Sequence, residues 1–228
     1  FIVMVDGTDV LTMASSQDHK RVGEGDTGPN TGGMGAYSPT PVVTETVHQR
    51  VMDEIINPTV RGMLADGHRY RGFLYAGLMI DLAGFPKVIE FNCRFGDPET
   101  QPIMMRLESD LTSHCIAACD GRLLDEQAQW SQQPAMGVVL ASAHYPALSP
   151  SGLTIEGLGE EAGSAKVFHA GTRSDSGAVV TAGGRVLCVT AKAPSLAEAA
   201  TRSYEAAANI SWDGMKYRRD IGWRALER

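Results

Sequence analysis

Cysteine is scarce and unpatterned in this sequence. Cys93, Cys115, Cys119 and Cys188 form no CxxC pair and no dense spacing, which argues against a disulfide scaffold and fits free thiols in a reducing compartment, read here as the cytoplasm. No apolar run approaches the roughly 20 residues of a membrane helix. The opening Phe1-Ile2-Val3-Met4-Val5-Asp6-Gly7 has neither the basic flank nor the length of a signal peptide, so no membrane partner is expected. Basic charge is also short: Lys+Arg 20 against Asp+Glu 27 gives a formal net charge of -7. That balance disfavours broad contact with nucleic-acid backbones, so any phosphate must be held by a local site. What is plentiful is hydrophobic content, 43% of 228 residues, enough for a real core and for two domains. The chain starts at Phe1, already inside a strand-like run. An upstream portion of the same polypeptide is therefore expected, with these residues as a fragment.

Apolar runs at residues 1–5 and 10–14, separated by Asp6-Gly7-Thr8-Asp9, predict a β-hairpin. A polar segment from Ser15 to Pro41 follows, carrying Gly23, Gly25, Gly28, Gly32, Gly33 and Gly35; an ordered loop this long usually serves a function. Thr44 is placed to cap a helix with Val47, Val51 and Ile55 on one face and Gly67 at its end, while Pro58 predicts a kink. Residues 72–81 and 87–92 read as two strands, both apolar enough to lie centrally in a sheet. Pro102 opens a predicted helix running to Gly121. The turn-like stretch after Leu123 marks a boundary, dividing the chain into residues 1–132 and 133–228. Beyond it, residues 136–143, 165–171, 178–181 and 185–193 form short strands in a mostly antiparallel pattern, and Ser195-Leu196-Ala197-Glu198 is a capping box opening a helix to about Ile210. The fold class expected is α+β.

Chemistry concentrates in Val88-Ile89-Glu90-Phe91-Asn92-Cys93-Arg94-Phe95-Gly96-Asp97-Pro98-Glu99. On a strand, residues two apart share a face, so Glu90, Asn92 and Arg94 are expected to project together while Ile89 and Phe91 enter the core. A carboxylate beside an amide oxygen suits Mg2+, which takes few protein ligands and shares its shell with phosphate oxygens. A guanidinium beside them suits a phosphoryl group in transfer. The plain alternative is a strand end whose polar residues face solvent. The glycine-rich segment can be read as a nest of converging amides for an anion, with Lys20 and Arg21 beside it, or as a flexible surface loop.

Glu90-x-Asn92-x-Arg94 at the end of a strand resembles the metal-binding signature of ATP-grasp enzymes. Arg94-Phe95-Gly96-Asp97-Pro98-Glu99-Thr100-Gln101 is similar to that of glycinamide ribonucleotide synthetases, as are Asp18-His19-Lys20-Arg21, the run from Gly28 to Pro39, and Tyr217-Arg218-Arg219-Asp220-Ile221-Gly222-Trp223-Arg224. The match covers nearly the whole chain in order. It implies the C-terminal half of an ATP-grasp domain, mostly antiparallel sheet with helices, followed by a small α+β C-terminal domain. The implied reaction joins glycine to 5-phosphoribosylamine through a glycyl phosphate, using ATP and Mg2+ or Mn2+, in a monomer. On the same resemblance, Glu90 and Asn92 hold the metal, Arg94 steadies the transferred group, and Lys20 faces the acyl phosphate. Asp18, Gly32, Gly33, Asp97 and Glu99 serve the substrates, and Met79 packs against adenine unless it is an ordinary core methionine. One departure stands out: some ATP-grasp relatives carry a further acidic ligand on the preceding strand, which here is apolar around Gly77 and Leu78.

Other candidates have blander readings. His114, Cys115 and Cys119 lack a fourth ligand and sit on an apolar helix face, His169 reads as structural, and Arg218, Arg219 and Arg224 are interleaved with Asp220 in a way that favours intramolecular salt bridges or an exposed edge. Two competing functions stay open: a nucleotide- or phosphate-binding module without catalysis, and an ATP-grasp ligase for another acid or amine. The nucleotide-holding lysines and glycine-rich flap of the family would lie before Phe1, so the fragment alone is expected to be inactive.

Overall fold

The computed structural model describes residues 1–159 and 165–227. In chain order they form β1 (Ile2–Val5), β2 (Val10–Thr12), β3 (Gln17–Asp18), β4 (Arg21–Gly23), β5 (Thr27–Asn30), β6 (Gly35–Ser38), α1 (Glu45–Val51), α2 (Asn57–Ala65), β7 (Gly72–Ile80), β8 (Pro86–Asn92), α3 (Thr100–Arg106), α4 (Leu111–Asp120), β9 (Ala135–Ala141), β10 (Ala165–His169), β11 (Thr172–Asp175), β12 (Ala178–Thr181), β13 (Arg185–Lys192), α5 (Leu196–Ala208) and α6 (Trp223–Leu226). Two compact units interleave along the sequence: Phe1–Ser15, Thr40–Gly96 and Leu107–Ser131 in the first, Ser16–Pro39, Asp97–Arg106 and Gln132–Arg228 in the second.

The first unit is built on an antiparallel sheet of order β2-β1-β7-β8. Alternate residues Val3 and Val5 of β1 and Leu74 and Ala76 of β7 bury one sheet face against Val47, Val51, Ile55, Ile56 and Val60. The helix starts where its cap predicts, Thr44 Oγ1 accepting from the Val47 amide at 3.3 Å. Ahead of Pro58 the helix widens into a π turn, Met52–Ile56, which accommodates a residue that cannot donate and whose ring crowds the preceding turn. Asp6 is fully buried in the first hairpin turn, accepting from the amides of Thr8 (3.0 Å), Asp9 (2.9 Å) and Leu123 (3.1 Å). Burial alone would raise its pKa, but these hydrogen bonds outweigh burial and hold the carboxyl below the usual range.

Two expectations change here. Of the two strands expected to be central only β7 is; β8 is an edge strand, with Ile89 65% and Phe91 42% exposed rather than in the core. Apolar content reports what a strand can bury, not whether this stretch of chain supplies the neighbour. The helix predicted from Pro102 to Gly121 is two helices, because Ser109-Asp110 starts a new one: the Asp110 carboxylate accepts from the amides of Thr112 (3.0 Å) and Ser113 (3.2 Å).

The second unit carries an antiparallel sheet of order β10-β13-β9-β6-β3. Met136, Val138, Leu140, Leu187 and Val189 pack with Ala199, Ala206 and Ala207 of α5, small residues that let the helix lie close to the sheet. Ser195 caps α5, its Oγ accepting from the Glu198 amide at 3.2 Å. The polar segment after Ser15 is less loop-like than expected, since β3 to β6 all lie within it and β3 and β6 extend the main sheet. A further strand, β11, pairs with β12.

Candidate functional site

In the first unit the β7–β8 register sets Tyr75 opposite Asn92, Gly77 opposite Glu90 and Met79 opposite Lys87, with a bulge that leaves Ile89 unpaired. Directly opposed residues share a face, and the bulge shifts the alternation so that Lys87 joins Glu90 and Asn92. Gly77 leaves room for the acid: a Cβ there would lie 3.1 Å from Glu90 Cγ. Met79 is 63% exposed on this face and is not a core methionine. Arg94 differs from expectation. The strand ends at Asn92, so alternation no longer governs Arg94; it lies in a bend, exposed, with Nη1 donating to the Phe95 carbonyl at 2.9 Å.

Among the described residues no group of three or more His, Cys, Asp or Glu could hold a metal, so the His114, Cys115 and Cys119 set gains nothing. His114 is instead buried between Ser109 (2.8 Å) and Glu126. Glu90 with Asn92 is therefore a two-donor oxygen face. That set fits a hard divalent cation that completes its shell with phosphate or water oxygens.

The second unit holds Asp18, Lys20, Gly32, Gly33, Asp97 and Glu99. Lys20 Nζ lies 3.9 Å from Asp18 Oδ2, and Glu99 is buried at the start of α3. The glycine-rich turn has two readings, and residues 31–34 do not form a nest with free amides. Its four consecutive amides all donate within the chain: Thr31 to the Lys20 carbonyl (2.7 Å), Gly32 to the Tyr145 hydroxyl (2.8 Å), Gly33 to Thr31 Oγ1 (2.9 Å) and Met34 to the His19 carbonyl (2.8 Å). Gly33 has φ +123, and a Cβ there would meet Pro98 Cδ at 2.4 Å, so the turn needs glycine to pass that close. The Arg21 side chain closes the β4–β5 hairpin, Nη1 donating to the Gly28 carbonyl at 2.7 Å.

Sequence reasoning missed Arg185 and Tyr145. Arg185 Nη1 donates to the carbonyls of Gly32 (2.9 Å) and Asp97 (2.6 Å), and Nη2 to Asp97 Oδ2 (3.1 Å). The available signal was an arginine at the entrance of an apolar strand after Gly183-Gly184, and Gly184 lets the Tyr145 ring approach.

The arginines of the C-terminal motif divide: Arg218 is buried in intramolecular salt bridges, while Arg219 and Arg224 lie exposed. Arg218, 1% exposed, donates through Nε and Nη2 to both Asp220 oxygens (2.8 Å each) and through Nη1 to Asp26 (3.0 Å) and the Arg21 carbonyl (3.0 Å). The Gly222 amide donates to His19 Nε2 at 3.1 Å. These bonds fasten residues 218–222 to the segment that carries Asp18 and Lys20.

Two models of one family match in order: "Phosphoribosylglycinamide synthetase, ATP-grasp (A) domain" over residues 1–100 and "Phosphoribosylglycinamide synthetase, C domain" over residues 135–224. The chain belongs to the phosphoribosylglycinamide synthetase family. Phosphoribosylamine--glycine ligases of Salmonella typhimurium and Vibrio parahaemolyticus are each 62% identical to it over its whole length, which spans 54% and 53% of theirs. The chain thus covers about half the length of these curated relatives. The crystal structure of the phosphoribosylamine--glycine ligase from Thermotoga maritima matches 96% of the chain and 54% of its own length at a TM-score of 0.87 and 34% identity. A biotin carboxylase domain from Hydrogenobacter thermophilus, 19% identical with a TM-score of 0.63 over 95% of this chain and 46% of its own, shares the fold. The synthetase-family chain is accordingly an α+β protein with an ATP-grasp-type portion followed by a smaller α+β portion.

Proposed function

We propose that the polypeptide containing this chain joins glycine to 5-phosphoribosylamine at the expense of ATP in purine biosynthesis, with residues 1–132 as the C-terminal portion of its ATP-grasp domain and 133–228 as its C-terminal domain. ATP would phosphorylate the glycine carboxylate, releasing ADP. The amine would then attack the acyl carbon and expel phosphate, losing a proton as the amide forms. The observation that carries this reading is the pairing of Glu90 and Asn92 on one strand face, opposite a glycine that leaves the acid room. These two residues would hold Mg2+ or Mn2+, whose charge neutralises phosphate oxygens. Met79, exposed on the same face, offers an apolar contact for adenine. Arg94 and Lys20 would supply positive charge to the transferred phosphoryl group, and Asp18, Gly32, Gly33, Asp97 and Glu99 would order the glycine and the amine.

The test uses the complete polypeptide. Phosphate release from ATP should require both glycine and phosphoribosylamine, and Glu90→Ala should lower kcat/KM about a hundredfold or more. Near-normal turnover of Glu90→Ala at saturating Mg2+ would refute the assignment. A panel of other carboxylates separates a sibling ligase from this one.

A further inference from the structure

Arg185 has five N–H donors. Three are committed: both on Nη1, to the carbonyls of Gly32 and Asp97, and one on Nη2, to Asp97 Oδ2. Among the described residues no acceptor meets Nε–H or the second Nη2–H. Those two hydrogens lie on one edge of the planar group and point the same way, the fork that matches a carboxylate or two oxygens of a phosphate. The Asp97 bonds fix the plane of the guanidinium and so aim this edge.

Gly32 packs against the same guanidinium. Its φ is not in the left-handed region, so conformation does not demand glycine there. Space does: a Cβ at Gly32 would lie 2.9 Å from Arg185 Cζ, 3.0 Å from Arg185 Nη2 and 3.1 Å from the Tyr145 hydroxyl. A guanidinium pinned by three hydrogen bonds cannot swing aside cheaply. The Tyr145 hydroxyl accepts from the Gly32 amide and keeps its own hydrogen to donate. A Cβ at residue 32 would therefore press on the face of the guanidinium, above Cζ, with the Tyr145 hydroxyl beside it, so glycine is what lets the arginine lie flat in this place. The neighbouring amides are committed elsewhere, so an anion here would have to be met by side chains rather than by a backbone nest.

We infer that the Nε/Nη2 edge of Arg185, with the Tyr145 hydroxyl, binds a paired anionic oxygen group of a substrate. Resting on the function proposed above, that group is the carboxylate of glycine or the 5-phosphate of phosphoribosylamine. Asp97 already shares the charge of this arginine, so the subsite selects by the geometry of the fork more than by net charge.

In the complete polypeptide, Arg185→Gln should raise KM for one of these two substrates about tenfold to a hundredfold, with KM for ATP within about twofold. A rise for glycine assigns the carboxylate, and a rise for phosphoribosylamine assigns the phosphate. Arg185→Lys should recover little, since a point charge does not replace a fork. Gly32→Ala, which keeps the arginine but presses on the face of its guanidinium and so displaces it, should cause the same selective loss. Calorimetric binding of glycine and of ribose 5-phosphate needs no turnover: if the wild type lacks ligase activity yet binds one of them through Arg185, the function reading fails and the subsite stands. Protection of Arg185 from phenylglyoxal by the bound compound gives a readout on the wild type alone. Equal losses for all substrates including ATP, or unchanged binding of both probes by a folded Arg185→Gln protein, would overturn the inference.

Discussion

Replacing His19 with Gln should remove a defined part of this chain's sensitivity to acid. The imidazole is 1% exposed; Nε2 accepts from the Gly222 amide at 3.1 Å, and buried Nδ1 has no hydrogen-bond partner among the described residues. The ring is therefore the neutral tautomer with its proton on Nδ1, and a second proton would have to enter against the Gly222 N–H. Burial pushes its pKa down from 6.5 to about 4, the nearby Arg218 guanidinium adding to the depression and Asp26 partly opposing it. Because the folded pKa lies below the unfolded one, the unfolded chain takes up the proton first. Stability is complete above about pH 6.5, declines as pH falls towards 4, and loses no more from this group below that. At about 1.4 kcal/mol for each pH unit of that gap, the loss is on the order of 3 kcal/mol. Urea unfolding of wild type and His19→Gln between pH 7 and 4.5 measures it. Carboxylates titrate in both proteins, so the difference between the two curves isolates His19, while the Gln side-chain oxygen can still accept from Gly222. Parallel curves across this range, or a folded-state NMR titration of His19 near 6.5, would refute the reasoning.

Arg218→Met should cost about 3 kcal/mol or more in chemical denaturation at neutral pH, because it strands Asp26 and Asp220 beside an apolar group. Asp220 is held below the usual carboxylate range, its bonds to Arg218 outweighing burial. The stabilisation is thus present above the ordinary carboxylate value of 3.8 and lost as pH falls through the lowered pKa, so the cost of Arg218→Met should shrink as pH falls below 3.8. Asp6→Ala should cost about 2–4 kcal/mol, since the Leu123 amide loses a charged acceptor in a buried site. Hydrogen exchange at Leu123 should then accelerate at least as much as exchange at the core of β7, and a protected Leu123 amide would refute the role given to Asp6.

Much of the local structure was legible in the sequence because it follows from contacts a few residues apart. The Asp6–Asp9 turn, the Thr44 and Ser195 caps and the stripe of Val47, Val51 and Ile55 all stand where spacing placed them. The pairing of Glu90 and Asn92 was legible for the same reason, since alternation on a strand is a local property. Arg94 was not, because alternation ends with the strand and the sequence does not print where β8 stops.

Sequence alone determined the family, the α+β class and the oxygen-donor face of β8, because each rests on residue types at fixed short separations. Tertiary structure decided what the glycine-rich turn can offer and which arginine serves it. Arg185 stands 153 residues from Gly32, and only sheet pairing brings its guanidinium, Asp97 and Tyr145 around a glycine whose one requirement is space. Long-range juxtaposition of this kind leaves no periodic mark along a chain, which is why Arg185 and Tyr145 went unread until the strands were assembled.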